Sequence, residues 1–298
     1  MASERQISLF PGLGDARNVA KPTNVASVPQ YSPFRYPGGK TWFVPVFRRW
    51  IVSLPERPAR LIEPFAGGGV ISLTAIMEGL VDQVVMVELD EDVAAVWHTI
   101  LAGNAEWLAK RILAFDISVE TVQAELAKKP GTIKEKGFQT ILRNRVLHGG
   151  ILARGASFIK KGENGKGIAS RWYAKTLARR IMRIAEISDK IQFIHGDGLE
   201  IMVAASEAPD AAFFVDPPYT AGGKRAGRRL YTHHELDHPR LFSLCSQIQG
   251  PFLMTYDDTE EVKNLAARFG FQAGHVAMKN THHATRHELV ISSDLSWL

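Results

Sequence analysis

The 298-residue chain is predicted to be an α/β protein built on an open, mainly parallel sheet. Three observations predict it. Residues 211–215, Ala-Ala-Phe-Phe-Val, are apolar at every position, as in a strand buried on both faces. Arg60-Leu61-Ile62 is strand-like and passes through a glycine turn into a helical pattern at 70–79, the strand–turn–helix step of doubly wound folds. A further apolar run, Val84-Val85-Met86, ends on the acidic stretch Val87-Glu88-Leu89-Asp90-Glu91-Asp92. A content of 45% hydrophobic residues over this length suffices for a full core in one or two domains.

Along the chain, residues 1–30 hold Pro, Gly, Asn and Ser without sustained periodicity, so a loose N-terminal arm is expected. Helix-compatible spacing recurs at 105–115, 119–128, 133–147 and 171–187. A glycine-rich basic loop, 149–167, separates the last two. From Lys128 to Arg183 there are fifteen Lys and Arg against two acids, a charge of +13, whereas the rest of the chain carries −8. A basic helical region on a mildly acidic body is the electrostatic footprint of a polyanion-binding protein, although a solvated helical surface gives a similar count. The helical run 239–248 contains Cys245, read as a buried structural thiol. As the single cysteine, it excludes an internal disulfide and any zinc cluster built on several thiolates. No charged start precedes an apolar core, and no apolar stretch is long enough to span a bilayer. A soluble, cytoplasmic protein is therefore expected.

The chemistry concentrates at Asp216-Pro217-Pro218-Tyr219. The two prolines stop the strand, so Asp216 and Tyr219 are presented at its carboxyl end, where open α/β sheets bind ligands. The pattern suits an amine made poorly nucleophilic by delocalisation into a ring. The Asp216 carboxylate and the Pro217 carbonyl can each accept one of its hydrogens, and Tyr219 offers a face for a base taken out of the stack. A simple strand-ending turn is the alternative. In Glu63-Pro64-Phe65-Ala66-Gly67-Gly68-Gly69, glycines let a ligand approach the backbone and the following helix offers free N–H groups. The spacing is not that of a dinucleotide fingerprint, and no Lys-Ser/Thr follows as in a P-loop. A carboxylate there repels phosphate but suits a cationic ligand such as S-adenosylmethionine. A purely structural strand-to-helix turn is the competing reading.

Together, Tyr36-Pro37-Gly38-Gly39-Lys40, the Glu63–Gly69 turn and Asp216-Pro217-Pro218-Tyr219 resemble, in content and order, the motifs of Dam-type (class alpha) N6-adenine DNA methyltransferases. The likeness covers about 31–105 and 190–298. It implies a Rossmann-like S-adenosylmethionine-dependent methyltransferase sheet at 31–105 plus 190–298, with 106–189 as an inserted, mainly helical DNA-recognition region. It implies S-adenosylmethionine as cofactor, held by Tyr36, Gly39, Lys40, Glu63, Pro64, Phe65, Ala66, Gly67, Glu88 on the ribose, Asp197 near the adenine, and Asp216. Asp216, Pro217, Pro218 and Tyr219 are the implied catalytic set. The stretch 280–292 is similar to the closing strand pair of the family. Tyr36 stands where the family usually has Trp, and Pro37 where a small residue is commoner. The stretch after Arg143-Asn144-Arg145 has only a faint likeness to its target-recognition region, so the DNA sequence read is not assigned.

Double-stranded DNA is the implied partner of a monomeric enzyme in a prokaryotic or phage-type setting. Candidate DNA contacts are Arg143, Arg145, Lys160, Lys161 and Lys166 in the insert, with Asn144 or Arg145 able to reach base edges. Lys224, Arg225, Arg228 and Arg229 follow the catalytic motif. No metal is expected. His233, His234 and His238, or His282, His283 and His287, lie at near-helical separations, but metal ligands need converging geometry and usually a carboxylate or thiolate partner, and a sulfonium needs no activation. Two rival readings remain. An RNA or protein-glutamine N-methyltransferase would more often have Asn at position 216 and lack the Gly-Gly-Lys element. A catalytically silent DNA-binding relative would be separated by a cofactor titration.

Overall fold

The computed structural model describes residues 22–35, 38–153, 155–162, 165–219, 236–279 and 285–298. Helix α1 (Val44–Ser53) precedes β1 (Arg60–Glu63), and α2 (Val70–Met77) leads to β2 (Gln83–Glu88). Helices α3 (Glu91–Thr99), α4 (Ala105–Ala114), α5 (Val119–Leu126), α6 (Ile133–Val146) and α7 (Ala174–Ala185) follow before β3 (Ile191–His195). Then come α8 (Gly198–Ala204), β4 (Ala211–Val215), α9 (His238–Cys245), β5 (Phe252–Asp257), α10 (Glu260–Arg268), β6 (Gln272–Lys279) and β7 (Thr285–Ser292).

The seven strands form one sheet in the order β3-β2-β1-β4-β5-β7-β6. The first five are parallel and β7 enters antiparallel between β5 and β6. This is a Rossmann-like sheet of the methyltransferase type, with its switch point between β1 and β4. Alternate residues of β4 feed opposite faces. Ala212 and Phe214 join the core formed with α1, α2, α3 and the inserted helices, while Ala211, Phe213 and Val215 join the core under α8, α9 and α10. Both faces are covered, which is why no polar residue interrupts the run. Burying each of these phenylalanines contributes about 1.5–3 kcal/mol.

The inserted helices are continuous with the first of these cores. Phe138, Ile141, Leu142, Leu177 and Ile181 share a single buried cluster with Trp97 and Ile100. Helices α5 and α6 begin with reciprocal capping boxes, Ser118 with Thr121 and Thr132 with Glu135, which satisfy the free N–H groups of their first turns. Helix α7 starts later than the periodicity suggests, at Ala174, because Tyr173 takes a left-handed conformation (φ 39°) as its N-cap.

The closing strand pair differs from its expected place. It is a hairpin of β6 and β7 that begins at Gln272 rather than at 280. Ala273, Gly274 and Ala277 give β6 little strand propensity of its own, and its register with β7 holds it. Cys245 is buried and unpaired, and burial pushes its thiol up, away from reactivity. Among the described residues, no helix is long and apolar enough to cross a membrane, and no cluster of three or more His, Cys, Asp or Glu could hold a metal.

Candidate active site

The carboxyl ends of β1, β2, β3 and β4 open into one cavity of about 320 Å³. Gly39, Lys40, Glu63, Pro64, Phe65, Ala66, Gly67, Glu88, Asp197 and Asp216 all line it. They reach it from loops far apart in sequence, and the sheet order makes them neighbours. Tyr36, the remaining residue expected at the cofactor, lies outside the described residues, as does Pro37.

The floor is the turn from β1 into α2. Gly69 has φ +61°, a left-handed conformation that calls for glycine, and a Cβ on it would stand 2.4 Å from Met86 Cε and 3.0 Å from the Trp97 ring, so the end of the methionine would have to shift. The Trp97 indole donates to the Gly67 carbonyl (2.9 Å) and the Ser32 hydroxyl to the Gly68 carbonyl (2.5 Å), which fixes the turn from outside. Glu63 is buried and accepts from the Ser72 amide (3.0 Å) and hydroxyl (2.5 Å), placing a carboxyl on the first turn of α2. Glu88 accepts from the amides of Gly67 (3.0 Å) and Asp90 (2.8 Å), tying the ends of β1 and β2 together. Burial raises Glu63 to about 8 and Glu88 to about 7. Asp90 and Asp197 cap α3 and α8, the latter accepting from the Leu199 amide at 2.8 Å.

These groups fit S-adenosylmethionine. Backbone glycines allow close approach, and the carboxyls match a sulfonium, an ammonium and a ribose diol. Glu88 keeps lone pairs for hydroxyls after its two amide contacts.

At the far end of the cavity, Asp216 closes β4 with 20% of its side chain exposed. Its Oδ1 receives the Lys40 ammonium (2.8 Å), the Tyr219 hydroxyl (2.9 Å) and the Thr255 hydroxyl (2.8 Å). Lys40 also lies 3.5 Å from Glu288 Oε2, and Tyr219 also donates to that oxygen at 3.0 Å. Burial raises the Glu288 carboxyl and holds the Tyr219 phenol neutral. Lys40, read from the sequence as a cofactor residue, is thus also built into the corner of Asp216.

Tyr219 departs from the open platform expected of it. Its ring stacks on Tyr256 at 5.5 Å, and the Lys40 ammonium stands 5.0 Å from its centroid. The phenol turns inward because a buried hydroxyl needs acceptors, and two carboxylates supply them. Tyr256 in turn meets His238 Nδ1 at 2.7 Å. Pro218 lines the cavity, whereas Pro217 is buried and does not.

Glu288, Thr255 and Tyr256 are site residues that sequence reasoning missed. The one signal for Glu288 was a charge set between His287 and the apolar Leu289-Val290-Ile291 of a strand.

The expected DNA contacts divide. Lys160, Lys161 and Lys166 are exposed on the loop between α6 and α7. Arg143 is paired with Asp92. Arg145 corrects the expectation of a base-reading side chain: it is 4% exposed and donates to the Pro33 carbonyl. Asn144 is likewise buried. It accepts from the Arg35 amide and donates to the Arg35 and Gly150 carbonyls, each at 2.9 Å. Both face inward because α6 packs over the segment 32–35, whose backbone groups need partners. Arg180 of α7 adds a bond to the Ser32 carbonyl at 3.0 Å. Lys224, Arg225, Arg228 and Arg229 lie outside the described residues, as do His233, His234, His282 and His283.

Among solved structures, the chain is similar to a putative RNA methyltransferase from Pyrococcus horikoshii (11% identity, 90% of this chain and 92% of that one, TM-score 0.40). It is also similar to an rRNA methyltransferase from Streptomyces viridochromogenes (15% identity, 91% and 93%, TM-score 0.40). A third is a geranyl diphosphate methyltransferase in complex with GPP and sinefungin (9% identity, 95% and 87%, TM-score 0.35). No curated protein is a significant sequence match. The model of the D12 class N6 adenine-specific DNA methyltransferases matches residues 36–280, from the Gly-Gly-Lys element through the catalytic motif. The chain therefore belongs to the D12 class N6 adenine-specific DNA methyltransferase family, and S-adenosylmethionine is its methyl donor.

Proposed function

We propose that this methyltransferase modifies the exocyclic N6 amine of an adenine in double-stranded DNA, with the base turned out of the duplex into the corner of Asp216. The observation that carries the reading is the position of Asp216. It is an acidic group at the carboxyl end of a central strand, partly exposed, on the wall of the same cavity that the glycine turn floors.

When bound, S-adenosylmethionine supplies an electrophilic methyl on a sulfonium whose leaving group is a neutral thioether. The chain's part is to place and polarise the amine. Asp216 accepts one amine hydrogen, and the Pro217 carbonyl accepts the second. The nitrogen lone pair is thereby turned toward the methyl, and electron density is held on it as the new N–C bond forms. The proton shed by the methylated amine leaves along its bond to Asp216. Glu88 orients the ribose, and Glu63 and the glycine amides shape the floor. Lys160, Lys161 and Lys166, with Lys224, Arg225, Arg228 and Arg229, neutralise DNA phosphates.

Mass spectrometry of nucleosides from unmethylated DNA incubated with the protein and S-adenosylmethionine tests this. N6-methyladenine is the expected product. A protein that binds the cofactor but methylates only RNA or a protein amide would overturn the DNA assignment.

A further inference from the structure

Asp216 uses its two oxygens unequally. Lys40, Tyr219 and Thr255 all donate to Oδ1, at 2.8, 2.9 and 2.8 Å. Oδ2 accepts from no described residue, and the side chain is partly exposed on the cavity wall, so the lone pairs of Oδ2 are open to a ligand there. A carboxylate plane turns easily about its bond to Cβ, and turning it from this orientation swings those lone pairs away. The three donors differ in how firmly they prevent that. Lys40 reaches Asp216 at the end of a flexible four-carbon chain. Tyr219 has one proton to divide between Asp216 and Glu288 Oε2, which is 3.0 Å away. Thr255 is fully buried in β5, and β-branching restricts its side chain to few rotamers. Val215 of β4 pairs with Met254 of β5, so the next step along the parallel ladder sets Asp216 beside Thr255. A hydroxyl at that depth needs a partner, and Asp216 Oδ1 supplies it.

We propose that Thr255 is a positioning residue for methyl transfer: its hydroxyl anchors Oδ1 and so holds Oδ2 in the orientation that accepts a hydrogen of the substrate amine. A donor fixed in the sheet sets the acceptor before substrate arrives, so the carboxylate need not reorient as the new N–C bond forms. A threonine serving only to pack a strand would also suit β5, because β-branched residues fit a pleated, covered surface. The two roles make opposite demands on the side chain. Positioning needs the hydroxyl, and packing needs the branched shape. The inference rests on Asp216 being the amine acceptor, and it holds for whichever amine the enzyme methylates.

The test compares wild type with Thr255→Val, which keeps the shape and loses the hydroxyl, Thr255→Ser, which keeps the hydroxyl and loses a methyl, and Thr255→Ala, which loses both. Each is measured in single turnover on the acceptor that wild type methylates, with cofactor affinity and thermal unfolding alongside. Thr255→Val and Thr255→Ala should both slow methyl transfer by about tenfold, the worth of one charged hydrogen bond. Cofactor affinity and the acceptor concentration for half-maximal rate should stay within about twofold of wild type. Thr255→Ser should recover most of the rate. The reverse order, with Val at the wild-type rate and Ser slow, would mean packing and overturn the role. So would equal losses in Val and Ser, or a loss confined to cofactor or acceptor affinity. If the alanine variant fails to fold, the order of Val and Ser still decides. A wild-type rate in Asp216→Ala would instead remove the reading on which the role depends. Failure of the DNA-adenine assignment shows separately, as wild-type methylation of another acceptor.

Discussion

The two ends of the cavity use the same kind of residue in opposite ways. At the glycine turn, Glu63 is buried and Glu88 half-buried, amides and a hydroxyl satisfy them, and neither has a salt-bridge partner among the described residues. At the catalytic corner, Asp216 and Glu288 share an internal cation, Lys40. The first pair holds protons near neutrality because burial disfavours charge and no lysine pairs with it. The second end carries its counter-charge as part of the fold. A cationic ligand arriving from solution therefore finds its complement at the glycine turn and not at Asp216. On the proposed reading, the difference directs a positively charged cofactor to the glycine turn and leaves Asp216 to a neutral amine.

The comparison breaks most visibly at Asp216. Asp216→Ala should reduce methylation by about a thousandfold or more while cofactor affinity stays close to wild type, read by single-turnover kinetics beside calorimetry. Equal loss of both would mean that the two ends are one site electrostatically. Glu88→Ala should do the reverse. It removes the acceptor for two amides, costing about 1–3 kcal/mol of stability by thermal unfolding, and weakens S-adenosylmethionine binding by about tenfold or more.

A finer test is pH. Glu63 and Glu88 titrate near 8 and 7, both raised by burial, so the folded apo protein holds more protons than the unfolded chain between about 4.5 and those values. Its stability should therefore fall as pH rises through that window. Cofactor affinity should move the other way and rise from pH 6 to 8, because a cation favours the ionised carboxylates and binding releases protons. Calorimetry in buffers of different ionisation enthalpy reads that release, and a pH-independent affinity would count against it. The smallest effect lies outside both ends. Replacing Lys160, Lys161 and Lys166 together by alanine should flatten the logarithmic salt dependence of DNA binding by about 0.9 for each phosphate no longer neutralised, with kcat on saturating DNA unchanged. A slope equal to that of wild type would remove this loop from the DNA interface.

Much of this was legible in the sequence where signals were local. The apolar run into Asp216-Pro217-Pro218-Tyr219 identified a strand covered on both faces, and the glycines at 67–69 identified a turn in which Gly67 and Gly69 both take left-handed conformations. What stayed hidden was set by pairing across long separations. Glu288 meets Tyr219 across 69 positions, through a strand order that no spacing encodes. Thr255 sits on β5, whose mixed Phe-Leu-Met-Thr-Tyr-Asp pattern announces no site. Asn144 and Arg145 look like surface readers in a basic stretch, and they turn inward because the backbone of a distant segment needs donors and acceptors.

That segment, residues 32–35, is bonded on one side to α6 and α7 through Asn144, Arg145 and Arg180, and on the other to the glycine turn through Ser32. Gly150 approaches so closely that a Cβ there would stand 2.2 Å from the Arg35 carbonyl. For protein engineering, the insert is therefore not a detachable cassette. A chimera that exchanges the helical region between relatives has to carry 32–35 with it, or the graft arrives with its stitching to the cofactor floor cut.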